Sequence, residues 1–179
     1  MRGEYRTLID MVLTRSTGSG SRTHGVRHWR AVAQVGLGLT EQTEGCDPLV
    51  VVLFGLFHDS MRWNDGDDPE HGARAAVLAH SLCSNLDSAA LDVLCVACDK
   101  HTDGLITDHP TIGACWDADR LNLWRVGIRP DPACLSTAAA REPERLPWSR
   151  QICAAPASWD EIIQQLPALQ TNLATLVQV

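Results

Sequence analysis

Leu49 to Phe57 are apolar almost without a break, and the run ends in the doublet His58-Asp59. An imidazole and a carboxylate side by side at the end of such a stretch are costly to bury without a partner. A metal ion is the natural partner, because His and Asp are both common ligands of first-row divalent metals. The valines at 50–52 would suit a buried strand as well as a helix, and periodicity does not separate the two. Asp47-Pro48 decides for a wholly buried helix, with Asp47 as N-cap and Pro48 in the first helical position. No other strong strand candidate is present to pair with it.

The other segments read as helices around this one. Glu4 to Leu13 places Leu8, Met11 and Val12 on one side, and the Gly/Ser-rich stretch Ser16 to Ser21 follows as a loop, without the Gly-Lys-Ser/Thr ending of a phosphate loop. From His28, the positions Val32, Val35 and Leu39 keep helical spacing, with His24 at or before the helix start because Gly25 intervenes. Asp68-Pro69 repeats the cap-plus-proline start for a helix reaching about Cys83, with Glu70 and His71 in its first turn. Asp87 caps a helix whose inner face reads Leu91, Leu94, Cys95 and Cys98 and continues to His101. Cys95 and Cys98 lack the second pair that a zinc site would need and read as core packing. A helix near Thr111 carries Ile112, Cys115, Trp116 and Leu123, with Asp119 on the same face. Asp117, five residues beyond Ile112, points about 140° away. Beyond Arg129 the prolines predict irregular wrapping, followed by a capping box at Ser158–Glu161 and an amphipathic stripe from Ile162 to Val177 interrupted by Pro167.

The expected fold is therefore all-α, a single-domain helical bundle. Residues 1–129 form the helical domain, and 130–179 form a C-terminal extension whose terminal amphipathic helix packs on it or on a partner subunit. The 179 residues suit one core. Seven cysteines without framework spacing, and no basic segment followed by an apolar run and a cleavage site, read as reduced thiols in a cytoplasmic protein outside the membrane. A net charge of -7 speaks against a stable nucleic-acid complex, and an anionic substrate would need a local positive centre.

In chain order the candidate ligands are His28, His58, Asp59, His71, His101 and Asp119. Each lies at a helix end or on an inward face, and helical bundles build metal sites in the core from facing helices. His24 and Asp117 stand as alternative ligands.

Over residues 24–123 this pattern resembles the HD-domain superfamily of metal-dependent phosphohydrolases. The resemblance rests on His28, the doublet His58-Asp59 and Asp119 within Ala118-Asp119-Arg120-Leu121. His71 and His101 fall where two-metal members carry two further histidines. Some nucleotidases of that family have a Glu three residues after the doublet's Asp, where this chain has Arg62, and a Gly-Tyr-Pro segment of other members is absent. The resemblance implies an HD-type bundle and hydrolysis of a small phosphorylated substrate by a metal-activated water. Two aspartates contribute -2, so two divalent ions would leave +2 for binding phosphate, which favours a pair. Mixed oxygen and nitrogen ligands suit manganese or iron, with cobalt or nickel also fitting. Asp59, as a ligand of one ion or a bridge between two, with Arg62 and Lys100 on the substrate phosphate, completes the expected catalytic set. Arg74 and Arg120 are the other cations near the ligands. Two alternatives carry the same pattern. One is a di-iron oxygenase of this fold acting on a polyol or hydroxyphosphonate, and the other is a non-catalytic metal- or nucleotide-binding regulatory module. A homo-oligomer is compatible with either.

Overall fold

The computed structural model describes residues 4–103 and 105–166. Among these residues the chain is all helical. In order the helices are α1 (Glu4–Arg15), α2 (Val26–Thr40), α3 (Pro48–Phe57), α4 (His71–Leu82), α5 (Ser88–Lys100), α6 (Pro110–Arg120), α7 (Ala138–Arg141), α8 (Arg145–Ala154) and α9 (Trp159–Gln164). Short 3-10 turns lie at Leu123–Val126 and Pro132–Cys134.

The apolar run 49–57 is the central helix. Asp47 caps α3 by accepting from the backbone N–H of Leu49 and Val50, and every residue from Val50 to Phe57 is buried. A helix buried on all sides needs neighbours all round. α2, α5 and α6 supply them, and α4 packs along α5. The closest approach is at Gly55, where an added Cβ would lie 2.6 Å from the Ala33 Cβ and 2.7 Å from the Ala33 backbone nitrogen. Gly55→Ala is therefore expected to force α2 and α3 apart, at a cost of about 1–3 kcal/mol. The check is a lower urea midpoint with an unchanged slope.

One core holds these elements together. Trp29, Val32, Phe54, Phe57, Leu94, Leu121, Leu135 and Ile162 all belong to it, so the C-terminal segment shares the core of the preceding helices. Cys98 is also within it and Cys95 is half-buried against it, as packing residues. All seven cysteines are free thiols.

The structure departs from the sequence-based expectations in three places. Asp68-Pro69 does not cap α4, which starts at His71 after Glu70. The Asp68 carboxylate instead accepts from the Trp63 N–H at 2.9 Å and pairs with Arg74 at 2.6 Å, a stronger charge-assisted use of the same side chain. Leu123 belongs to a 3-10 turn beyond α6, not to that helix. The region after Arg129 is more regular than its prolines predict, because Pro147 falls in the first turn of α8, where a missing N–H costs little. The capping box at Ser158 and Glu161 forms as expected, and Ile162, Ile163 and Leu166 are buried. The rest of the stripe, from Leu169 to Val177, lies outside the described residues. Among the described residues no helix is long and apolar enough to cross a membrane.

Candidate metal centre

Six side chains from five elements converge beside the C-terminal end of α3. His28 comes from the first turn of α2, and His58 and Asp59 directly follow α3. His71 opens α4, His101 closes α5, and Asp119 sits in the last turn of α6. All six expected ligands are thus brought together. The four histidines and Asp59 are buried, and the Asp119 side chain is 16% exposed.

Asp59 is the centre of the cluster, and its two oxygens face different sets of rings. Oδ1 lies 3.1 Å from His71 Nε2 and 3.6 Å from His101 Nε2. Oδ2 lies 3.5 Å from His28 Nε2 and 3.6 Å from His58 Nε2. Asp119 Oδ1 closes the second set, 3.1 Å from His28 Nε2 and 3.9 Å from His58 Nε2. The arrangement offers one group of His28, His58 and Asp119 and another of Asp59, His71 and His101, each close enough to hold an ion.

The backbone sets which ring nitrogen is free. His58 Nδ1 is 3.1 Å from the Phe54 carbonyl, His101 Nδ1 is 2.7 Å from that of Cys98, and His71 Nδ1 donates to the Asp68 carbonyl. A neutral ring that donates through Nδ1 presents a lone pair at Nε2, the form that binds metals. Yet His71 Nε2 and His101 Nε2 are 3.0 Å apart, and His28 Nε2 and His58 Nε2 are 3.1 Å apart. Lone pairs at that distance, beside carboxylates, repel unless a positive charge joins them. At the His71–His101 pair Arg62 already brings one, 3.1 Å from His71 Nε2, whereas among the described residues the His28–His58 pair has none so close. Two nitrogens bound at about 2.1 Å to one ion, at right angles, would be about 3.0 Å apart. Asp59 Oδ1 and Asp119 Oδ1 are also buried without a hydrogen-bond donor. The donor set, its spacing and these orphaned oxygens all fit a divalent transition-metal ion.

The charges agree with a ligand role. Burial alone would raise the Asp59 carboxyl, but the imidazoles of His58, His101, His24 and His71 outweigh it and hold it well below the usual carboxylate range. Asp119 is likewise held well below that range, with Arg125 the largest influence against burial, followed by His28 and His58. Burial pushes His58 down to about 3 and lowers His28, with Arg125 adding to the latter. His101 is raised, because Asp59 overcomes its burial. In the metal-free protein, His58 is expected to remain a neutral imidazole down to about pH 3 while His101 still holds its proton above 6.5. Ring-nitrogen NMR titration checks both. The two act oppositely on stability. The His58 contribution is complete above about 6.5 and lost as pH falls toward 3. That of His101 is complete below 6.5 and lost as pH rises through its raised value.

Two further side chains join the cluster: His24, which the sequence left as an alternative ligand, and Arg125, which it did not assign. His24 Nδ1 lies 2.9 Å from Asp59 Oδ2 although His24 precedes α2. The Gly/Ser loop places it there. Thr17 and Gly18 both donate backbone N–H to the Ser60 carbonyl at 3.0 Å, Ser21 Oγ accepts from the His24 N–H, and Trp29 Nε1 donates to the His24 carbonyl. Arg125, from the 3-10 turn after α6, lies 3.4 Å from Asp119 Oδ1. Its only sequence signal was a position six residues past a candidate ligand, which by itself says nothing about direction.

The expected phosphate-binding cations sit differently from one another. Arg62 is buried at the cluster, with its terminal nitrogen 3.1 Å from His71 Nε2 and 3.5 Å from Asp59 Oδ1. Its other donors go to the Asn64 and Gly66 carbonyls. Lys100 is half exposed and pairs with Asp99 at 2.9 Å and Asp103 at 3.9 Å, outside the cluster. Arg74 is spent on Asp68 and the Met61 carbonyl, and Arg120 on the carbonyls of Leu105 and Cys134.

Asp117 does point away from the cluster, as its helical position requires, but it is fully buried. It accepts from the N–H of Ser136 at 2.6 Å and of Thr137 at 2.7 Å, and from Thr137 Oγ1 at 2.8 Å. Burial raises its carboxyl against those hydrogen bonds. Its work is to fasten the C-terminal segment to α6.

Beside the cluster opens a cavity of about 350 Å³ that reaches it through His28 and Arg125. No protein-family model matches the chain, and neither a curated protein nor a solved structure matches it.

Proposed function

We propose that this protein is a metal-dependent phosphohydrolase of the HD type, cleaving a phosphoester of a nucleotide or similar small phosphorylated molecule. The observation that carries the reading is the two-sided placement of Asp59, with Oδ2 toward His28 and His58 and Oδ1 toward His71 and His101. A carboxylate shared between two imidazole sets suits a pair of adjacent ions. Bound divalent ions would supply an acidified water as nucleophile and a Lewis acid for a phosphoryl oxygen. The chain's own part is to fix the Nε2 lone pairs of His58, His71 and His101 through backbone carbonyls, to keep Asp59 and Asp119 ionised, and to present positive charge at the rim.

The charge count differs from the one the sequence suggested. Arg62 beside Asp59 and Arg125 beside Asp119 already offset the two carboxylates. One divalent ion would therefore suffice for a surplus of positive charge, so the argument for two ions rests on geometry and not on electrostatics.

The test is metal analysis of the purified protein, followed by a panel of phosphomonoesters, phosphodiesters and nucleotides with manganese added. Release of phosphate that chelation stops supports the reading. Metal retention with no turnover points to a regulatory module, and oxygen consumption with a polyol or hydroxyphosphonate points to the oxygenase alternative. A protein that binds no metal overturns all three.

A further inference from the structure

The chain is acidic overall, with 22 Asp and Glu against 15 Lys and Arg. The cavity beside the cluster reverses that balance: Arg22, Arg27, Arg125 and Arg150 line it, and no acidic residue does. Among the described residues, Arg125 is the only one of the four with a carboxylate partner, Asp119. Arg22, Arg27 and Arg150 are exposed. Keeping like charges together without counter-ions costs free energy, so such a group persists where an anion is meant to complete it. Two of the arginines are held in place. Arg27 donates to the carbonyls of Cys153 and Ala154 at the end of α8, and the Arg150 guanidinium lies 5.3 Å from the centre of the Trp124 ring. The Trp124 indole is itself anchored by donating to Ser149 Oγ at 3.2 Å. His28, one of the candidate ligands, lines the cavity, so the cavity borders the candidate metal centre, and its charged lining is arginine alongside Thr23, Ala31, Trp124, Cys153 and Ala154. A wider groove of about 650 Å³ continues past Trp124 and Arg150 and adds Arg129.

Resting on the phosphohydrolase reading, we propose that this cavity selects a substrate with two separated anionic groups. One is the phosphoryl group at the cluster, beside Arg125. The other is a further phosphate on the leaving group, held by Arg22, Arg27 and Arg150. A phosphoester with an uncharged leaving group fills only the inner end and leaves three guanidinium groups without a counter-charge. The volume lies within the range of small-molecule sites and is of the order of a mononucleotide.

The experiment measures binding of adenosine 3′,5′-bisphosphate, AMP and adenosine by calorimetry. The proteins are the manganese-loaded wild type, the chelator-treated wild type, and the double variant Arg22→Gln/Arg150→Gln. Both substituted side chains are exposed, and neither contacts a cluster ligand. Metal content and circular dichroism confirm that the variant is intact. The wild type is expected to bind the bisphosphate at least about tenfold more tightly than AMP, the scale of one further charge-assisted hydrogen bond. The preference should shrink to under about threefold in the double variant, and it should persist after chelation because the arginines do not depend on the metal. A wild type that binds the bisphosphate and AMP equally overturns the proposal, and so does a double variant that keeps the full preference. A clear preference without turnover of any phosphoester leaves the anion cavity standing and removes the hydrolase reading. Turnover without a preference does the reverse.

Discussion

Asp59→Ala is expected to purify without metal and to release no phosphate from any ester that the wild type cleaves. Both oxygens of Asp59 are engaged, Oδ1 toward His71 and His101 and Oδ2 toward His24, His28 and His58, so one truncation strips both candidate ion positions of their shared ligand. The loss in activity should be at least about 10²–10³-fold, the scale for removing a single electrostatic element of an active site. The substitution also leaves Arg62 and the imidazoles without their central counter-charge, and breaking a buried ionic group of this kind costs about 3–5 kcal/mol. Asp59→Asn keeps the shape and removes only the charge, so it should fold better while still failing to retain metal. Elemental analysis alongside thermal unfolding separates the two effects. An Asp59→Asn protein that holds its full complement of metal would show that the cluster is not the site.

Asp117→Ala should give the opposite pattern, with a large loss of stability and metal retained. The substitution orphans the buried N–H of Ser136 and Thr137 and the Thr137 hydroxyl. Unsatisfied buried donors of this kind together cost about 3 kcal/mol or more, which at this chain length lowers Tm by roughly 6–12 °C. The segment that Asp117 fastens carries Leu135, Ala139 and Ala140 into the core, so the loss should be cooperative with the main unfolding transition. Metal content measured at a temperature where the variant is folded should match the wild type. An Asp117→Ala protein that is stable but metal-free would mean that the two carboxylates of α6 had been assigned the wrong way round.

These two acids show what helical periodicity can and cannot deliver. Asp117 and Asp119 are two residues apart on α6 and must face different sides, and that much follows from 3.6 residues per turn. Periodicity placed Asp119 with the inward ligands. It left open what covered Asp117, because Ser136 and Thr137 arrive from a segment whose prolines give no period to read.

The sequence by itself determined the helical class, the central buried helix with its Asp47 cap, and the six candidate ligands. All of these follow from local rules of spacing, capping and the cost of burying polar groups. Tertiary structure alone decided the rest. It bent the Gly/Ser loop so that His24 meets Asp59, folded a 3-10 turn so that Arg125 meets Asp119, diverted Asp68 from capping to Arg74, and gathered four arginines from distant segments into one cavity. The physical reason is range. Hydrogen-bonded turns and helix faces are fixed by residues a few positions apart, whereas the direction of a charged side chain is set by whichever opposite charge or carbonyl the packing of the whole chain brings within about 3 Å.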